Sequence, residues 1–92
     1  MIACRESVTI VNQRGLHARA SAKFVNFVGE LPPTCVVQVS KDGVDAAGGS
    51  ILSLMMLGAA KGDTIEIAVS GDGAEAALEQ LVKLVRDGFG ED

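Results

Sequence analysis

Apolar and polar positions alternate through residues 6–12, where Val8 and Ile10 interleave with Ser7 and Thr9 in the period of a half-buried strand. After Gly15 the period lengthens. Ala20, Phe24, Phe27 and Val28 recur at i, i+4, i+7 and i+8, predicting a helix over about residues 18–28 that stops at Gly29 and Pro32. Beyond Leu31-Pro32-Pro33, Cys35, Val37 and Val39 alternate with Val36, Gln38 and Ser40 as a second strand. Lys41-Asp42-Gly43 is a turn signal, and residues 44–47 return as a short third strand before Gly48-Gly49. Ser50 then opens a short helix as N-cap and Gly58 closes it. Ile65, Ile67 and Val69 alternate with Thr64, Glu66 and Ala68 in a fourth strand that ends at Gly71-Asp72-Gly73. The last helix starts near Ala74 and sets Ala74, Ala77, Leu78, Leu81, Val82 and Val85 on one face. Gly88 is expected to cap it, with residues 90–92 fraying.

The order βαββαβα predicts an α+β fold, an antiparallel sheet with helices on one side. Its 92 residues are expected to form one domain, residues 1–92, with a single two-layer core. With no Trp or Tyr and only three Phe, that core must be aliphatic. The same scarcity of aromatic platforms, with a net charge of -4, argues against nucleic-acid binding. The longest apolar run, residues 54–60, is too short to span a bilayer, so no membrane insertion is expected and the protein is placed in the cytoplasm. Cys4 and Cys35 have no metal-like or CxxC spacing and read as two reduced thiols.

Charge changes the picture around His17, the single histidine. No Asp or Glu occurs over residues 7–29, whereas Arg14, Arg19 and Lys23 all do. No Ser, Thr, Asp or Asn directly precedes the helix, so its free N–H groups and positive dipole end lack their usual partners and are open to an outside anion. Arg19, two residues beyond the histidine, suits bidentate hydrogen bonding to a phosphoryl group. An uncharged imidazole is a good nucleophile at neutral pH, so the chemistry indicated is a phosphohistidine. The competing reading of a lone histidine is an ordinary surface or core residue. Hydrolysis is not supported, because Ser21 and His17 share one short segment and lack an Asp partner. A single histidine with scattered cysteines makes no metal site, and no cofactor is expected.

The segment Gly15-Leu16-His17-Ala18-Arg19-Ala20-Ser21-Ala22 resembles the active-site signature of the HPr family, the histidine phosphocarriers of the bacterial phosphotransferase system (HPr and NPr types). Gly48-Gly49-Ser50-Ile51-Leu52-Ser53-Leu54-Met55-Met56-Leu57-Gly58 is similar to that family's regulatory-serine segment, and the resemblance covers nearly the whole chain. It departs at two positions: the family often has Pro where this chain has Ala20, and Lys where it has Gly49. The resemblance implies an open-faced β-sandwich with strand order 1-4-2-3 and three helices on one face. It implies that His17 accepts a phosphoryl group at Nδ1 from phospho-enzyme I, charged from phosphoenolpyruvate, and passes it to an EIIA protein in sugar uptake or in nitrogen or carbon regulation. Such a protein is a relay and not an enzyme. Arg19, with the backbone of Ala18 and Arg19, would contact the phosphate. Ser50 would be a regulatory phosphorylation site for an HPr kinase/phosphorylase, and a monomer is expected. In the short helix, Ile51, Leu54, Met55 and Gly58 would make one face, but Leu52, Met56 and Leu57 continue the apolar surface around it. Some of Ile51, Leu52, Met55 and Met56 should therefore stay exposed as a docking patch for a protein partner. The alternative function is a small non-catalytic interaction module that binds through residues 51–57, with His17 incidental.

Overall fold

The computed structural model describes residues 3–91. The chain runs β1 (Cys4–Thr9), α1 (Ala18–Gly29), β2 (Val36–Lys41), β3 (Val44–Ala47), α2 (Ile51–Met56), β4 (Thr64–Ser70) and α3 (Ala74–Arg86), followed by a 3-10 turn, Gly88–Gly90. All seven expected elements are present. The strands form one antiparallel sheet in the order β1-β4-β2-β3, with Val8 opposite Ile65 and Val37 opposite Val69. Period-2 alternation sends Val8, Val37, Val39, Ile65, Ile67 and Val69 into the core, while Ser7, Thr9, Val36 and Gln38 face solvent. All six apolar positions expected on one face of α3 are buried, as are Ala20 and Phe24 of α1. Cys4 and Cys35 are free thiols, and the Cys35 Sγ–H donates to the Asp72 carbonyl at 2.9 Å. Among the described residues no helix is long and apolar enough to cross a membrane.

Strand β1 ends three residues earlier than the alternation suggests. Its ladder stops at Thr9 opposite Thr64, yet Ile10 and Asn12 continue to point inward. Burial thus outlasts pairing: the Ile10 N–H donates to the Asp63 carbonyl, and the Ile10 carbonyl accepts from the Gly62 N–H.

The C-terminus departs further from expectation. Gly88 ends α3 in the left-handed conformation as expected, but residues 90 and 91 do not fray, their N–H groups donating to the Asp87 and Gly88 carbonyls; Asp92, which shares the expectation of fraying, lies outside the described residues. Gly88, Phe89 and Gly90 occupy the left-handed region in succession, at φ of 63°, 58° and 73°. Holding Phe89 there costs about 1–2 kcal/mol. Complete burial of its ring, worth about 1.5–3 kcal/mol, offsets that strain. The Lys23 ammonium on α1 donates to the Phe89 carbonyl at 2.6 Å and fastens the turn from outside. The reversal carries Glu91 back across the end of α1.

Candidate functional site

The turn between β1 and α1 is shaped by Gly15. Its φ is +61°, and a Cβ there would lie 2.2 Å from the Ala59 carbonyl oxygen and 2.8 Å from Ala60 Cα, so only glycine fits. This close approach lets the Leu16 N–H donate to the Ala59 carbonyl at 2.9 Å, which pins the chain one residue before His17. The buried Ser21 hydroxyl donates to the Leu16 carbonyl from the first turn of α1. His17 is therefore delivered to a helix N-terminus by fixed neighbours on both sides.

At that pole the histidine takes a role not anticipated from the sequence. His17 is itself the N-cap of α1, and its Nδ1 accepts from the Arg19 N–H at 3.3 Å. An imidazole nitrogen thus replaces the usual Ser, Thr, Asp or Asn oxygen, so the pole is capped from within rather than left vacant. On the opposite edge of the ring, Nε2 lies 2.7 Å from Glu91 Oε2. One neutral tautomer satisfies both contacts: the proton sits on Nε2 and the lone pair of Nδ1 faces the helix end.

Glu91 also corrects the charge map. The site is not purely cationic, because the chain end supplies a carboxylate that the local sequence lacks. Its Oε1 accepts from the Asn12 amide at 3.1 Å, and the same Asn12 Nδ2 donates to the Gly15 carbonyl at 2.9 Å. Asn12 is 2% exposed, and its Oδ1 is buried without a partner among the described residues. The Asn12 hydrogen bond holds the Glu91 carboxyl below the ordinary value of 4.5 against a partial burial that acts the other way; the hydrogen bond and charge of His17 and the charge of Lys23 reinforce the lowering.

Arg14, Arg19 and Lys23 line the same open depression as His17 and Glu91. Both arginines are exposed, leaving a cationic rim around a half-buried histidine. Among the described residues, no group of three His, Cys, Asp or Glu side chains is placed to hold a metal ion. Asn12, Phe89 and Glu91 were not legible as site residues. Asn12 read only as the end of a strand, and nothing in the spacing ties residue 91 to residue 17.

The second motif lies on α2. Ser50 is its N-cap and accepts from the Ser53 N–H at 3.2 Å. Leu54 and Leu57 turn inward, and Ile51, Leu52, Met55 and Met56 are all exposed, Met56 to 76%. The inward face is thus Leu54 with Leu57, and all four residues among which the exposed patch was expected lie on the surface.

A family model described as "PTS HPr component phosphorylation site" matches residues 4–87. The chain belongs to the HPr family of phosphotransferase-system phosphocarriers. Similar HPr-family relatives include the phosphocarrier protein HPr of Pseudomonas aeruginosa, 41% identical over 85 residues that cover 91% of this chain and 92% of the relative. The phosphocarrier protein NPr of Escherichia coli K12 is 32% identical over 88 residues, covering 96% and 97%. Among solved structures, HPr-C-His from Thermoanaerobacter tengcongensis superposes with a TM-score of 0.89 at 32% identity, covering 97% of this chain and 98% of that one. An HPr from Bacillus anthracis gives 0.86 at 30% identity, covering 92% and 99%. An HPr-family protein is a phosphocarrier rather than a catalyst.

Proposed function

We propose that His17 is the residue that carries the phosphoryl group, accepting it on Nδ1 from a phosphohistidine of enzyme I and passing it to a histidine of an EIIA protein. The observation that carries this reading is the Nδ1 lone pair turned toward the Arg19 N–H at the α1 pole, within the rim of Arg14, Arg19 and Lys23. Attack on phosphorus places the new dianion at the positive end of the helix, where the first-turn amides of Ala18 and Arg19 act as donors and the Arg19 guanidinium adds a bidentate contact. The depression is open, which suits a carrier that must hold the group and then surrender it. No cofactor enters the transfer, and the relay works in the cytoplasm between partner proteins as a monomer.

The exposed Ile51, Leu52, Met55 and Met56 supply the docking face for both partners in this reading, so the patch serves the relay and needs no separate interaction function. Ser50, at the rim of that face, is the regulatory phosphorylation site for a kinase of the HPr kinase/phosphorylase type. A phosphate there would meet the α2 N-terminus favourably while setting about two negative charges beside an apolar surface. The relatives include both HPr and NPr proteins, and either sugar uptake or nitrogen regulation fits the carrier role. The test is a reconstituted relay of phosphoenolpyruvate, enzyme I, this protein and candidate EIIA proteins. Label should pass through this protein to EIIA; label that reaches EIIA equally well without it would refute the relay.

A further inference from the structure

The two nitrogens of His17 face unlike surroundings: Nδ1 meets a backbone donor, and Nε2 meets a carboxylate at 2.7 Å. We propose that Glu91 is a positioning residue for phosphoryl transfer, keeping the proton on Nε2 through the whole cycle so that the ring departs from phosphorus as neutral imidazole. The inference rests on the reading of His17 as phosphoryl carrier and adds to it the residue that sets the leaving group. On acceptance, the Nδ1 lone pair bonds to phosphorus while the donor's N–P bond breaks and its electron pair returns to the donor nitrogen. The His17 ring then holds phosphorus on Nδ1 and a proton on Nε2, and carries a positive charge. On donation, the Nδ1–P bond breaks toward nitrogen and the ring is again neutral, still protonated on Nε2. No proton needs to move in either direction. Were the Nε2 proton lost in the phosphorylated state, the ring would have to leave as imidazolate, a far more basic and slower leaving group.

Glu91 is seated for this role. One carboxylate oxygen takes the Asn12 amide and the other takes the His17 ring, and Asn12 ties both to the Gly15 turn. The buried Phe89 and the Lys23 bond to its carbonyl anchor the reversal that brings Glu91 there. The carboxylate lies on the ring edge opposite Nδ1, so the arriving group need not displace it. The charged groups around the ring are Glu91 from the C-terminal turn, Arg14 from the loop after β1, and Arg19 and Lys23 from α1. Of these, only Glu91 favours a proton on the ring.

The test uses the full chain as wild type, Glu91→Gln and Glu91→Ala, each phosphorylated with potassium phosphoramidate, a small donor that requires no partner recognition. Titration of Nε2 in phosphoryl-His17 is followed by 1H–15N NMR, and transfer to EIIA is timed across the same pH range. Loss of one adjacent charge should move the Nε2 midpoint down by about one pH unit in Glu91→Ala, and in the same direction in Glu91→Gln. Above the midpoint the protonated fraction, and the transfer rate with it, should fall about tenfold relative to wild type, a larger loss than below the midpoint. A purely structural role would not produce this pH-selective loss. Phosphorylated proteins with superimposable Nε2 titrations would overturn the role of Glu91 alone. Failure of wild-type His17 to accept phosphate from the small donor would overturn the carrier reading and this inference together.

Discussion

Replacing Gly15 by Ala isolates the contact that sets His17 in place. Ala in the left-handed region costs about 1–2 kcal/mol. Gly58, at φ +66° against +61° for Gly15, would incur the same backbone strain, but a Cβ at Gly58 meets nothing within 4 Å. At Gly15 the new methyl would sit 2.2 Å from the Ala59 oxygen, a backbone atom that must move. Moving it costs about 0.5–1.5 kcal/mol for the Leu16 to Ala59 hydrogen bond and about 1–3 kcal/mol for repacking the buried Leu16 and Ala59. Gly15→Ala should therefore lose about 2.5–6.5 kcal/mol, against about 1–2 kcal/mol for Gly58→Ala. Out of a typical total of about 5–15 kcal/mol, the first loss leaves a marginal domain. Urea denaturation of both variants, with unchanged m-values as the check on two-state behaviour, measures the difference. Equal losses in the two variants would show that the Ala59–Ala60 loop yields freely and that the turn is not held by close approach.

Arg19→Ala should slow phosphate acceptance without abolishing it, since the helix amides remain, and Arg19→Lys should recover only part of the rate; a Lys variant as fast as wild type would mean that charge alone matters. Ser50→Asp should weaken binding to enzyme I and EIIA with little change in melting temperature, because the added charge suits the N-cap but not an apolar contact; unchanged affinity for both partners would leave Ser50 as a plain cap. The Glu91 carboxyl is held below 4.5, so its bonds stabilise the C-terminal turn above that value and are lost as pH falls through the lowered folded value. NMR of the Asn12 side-chain amide should report this release on acidification, and signals that stay fixed until global unfolding would refute the linkage.

Most of the fold could be read from hydrophobic period, because this core is built by it. The six inward positions of α3 and the alternating residues of β2 and β4 need only a count along the chain. The early end of β1 could not be read that way, since Ile10 and Asn12 keep the inward alternation after the ladder has closed. The Gly15, His17 and Arg19 cluster was visible because it is local: a turn glycine, a pole and its cations lie within one short segment. The remainder of the site depends on tertiary return. Three consecutive left-handed residues have no period, Phe89 offers no sequence cue that its ring will be buried, and Glu91 reaches His17 across 74 positions. A capping imidazole also escapes rules framed on hydroxyl, amide and carboxylate caps.

The most direct measurement is incubation of the wild-type protein and His17→Ala with enzyme I and labelled phosphoenolpyruvate, followed by site mapping and melting curves. One acid-labile, base-stable phosphate on Nδ1 of His17 is expected in the wild type and none in the variant, which should still melt cooperatively, less stable by about 0.5–2 kcal/mol for the lost α1 cap. Label retained by His17→Ala at wild-type stoichiometry, or label mapped to another residue of the wild type, would contradict it.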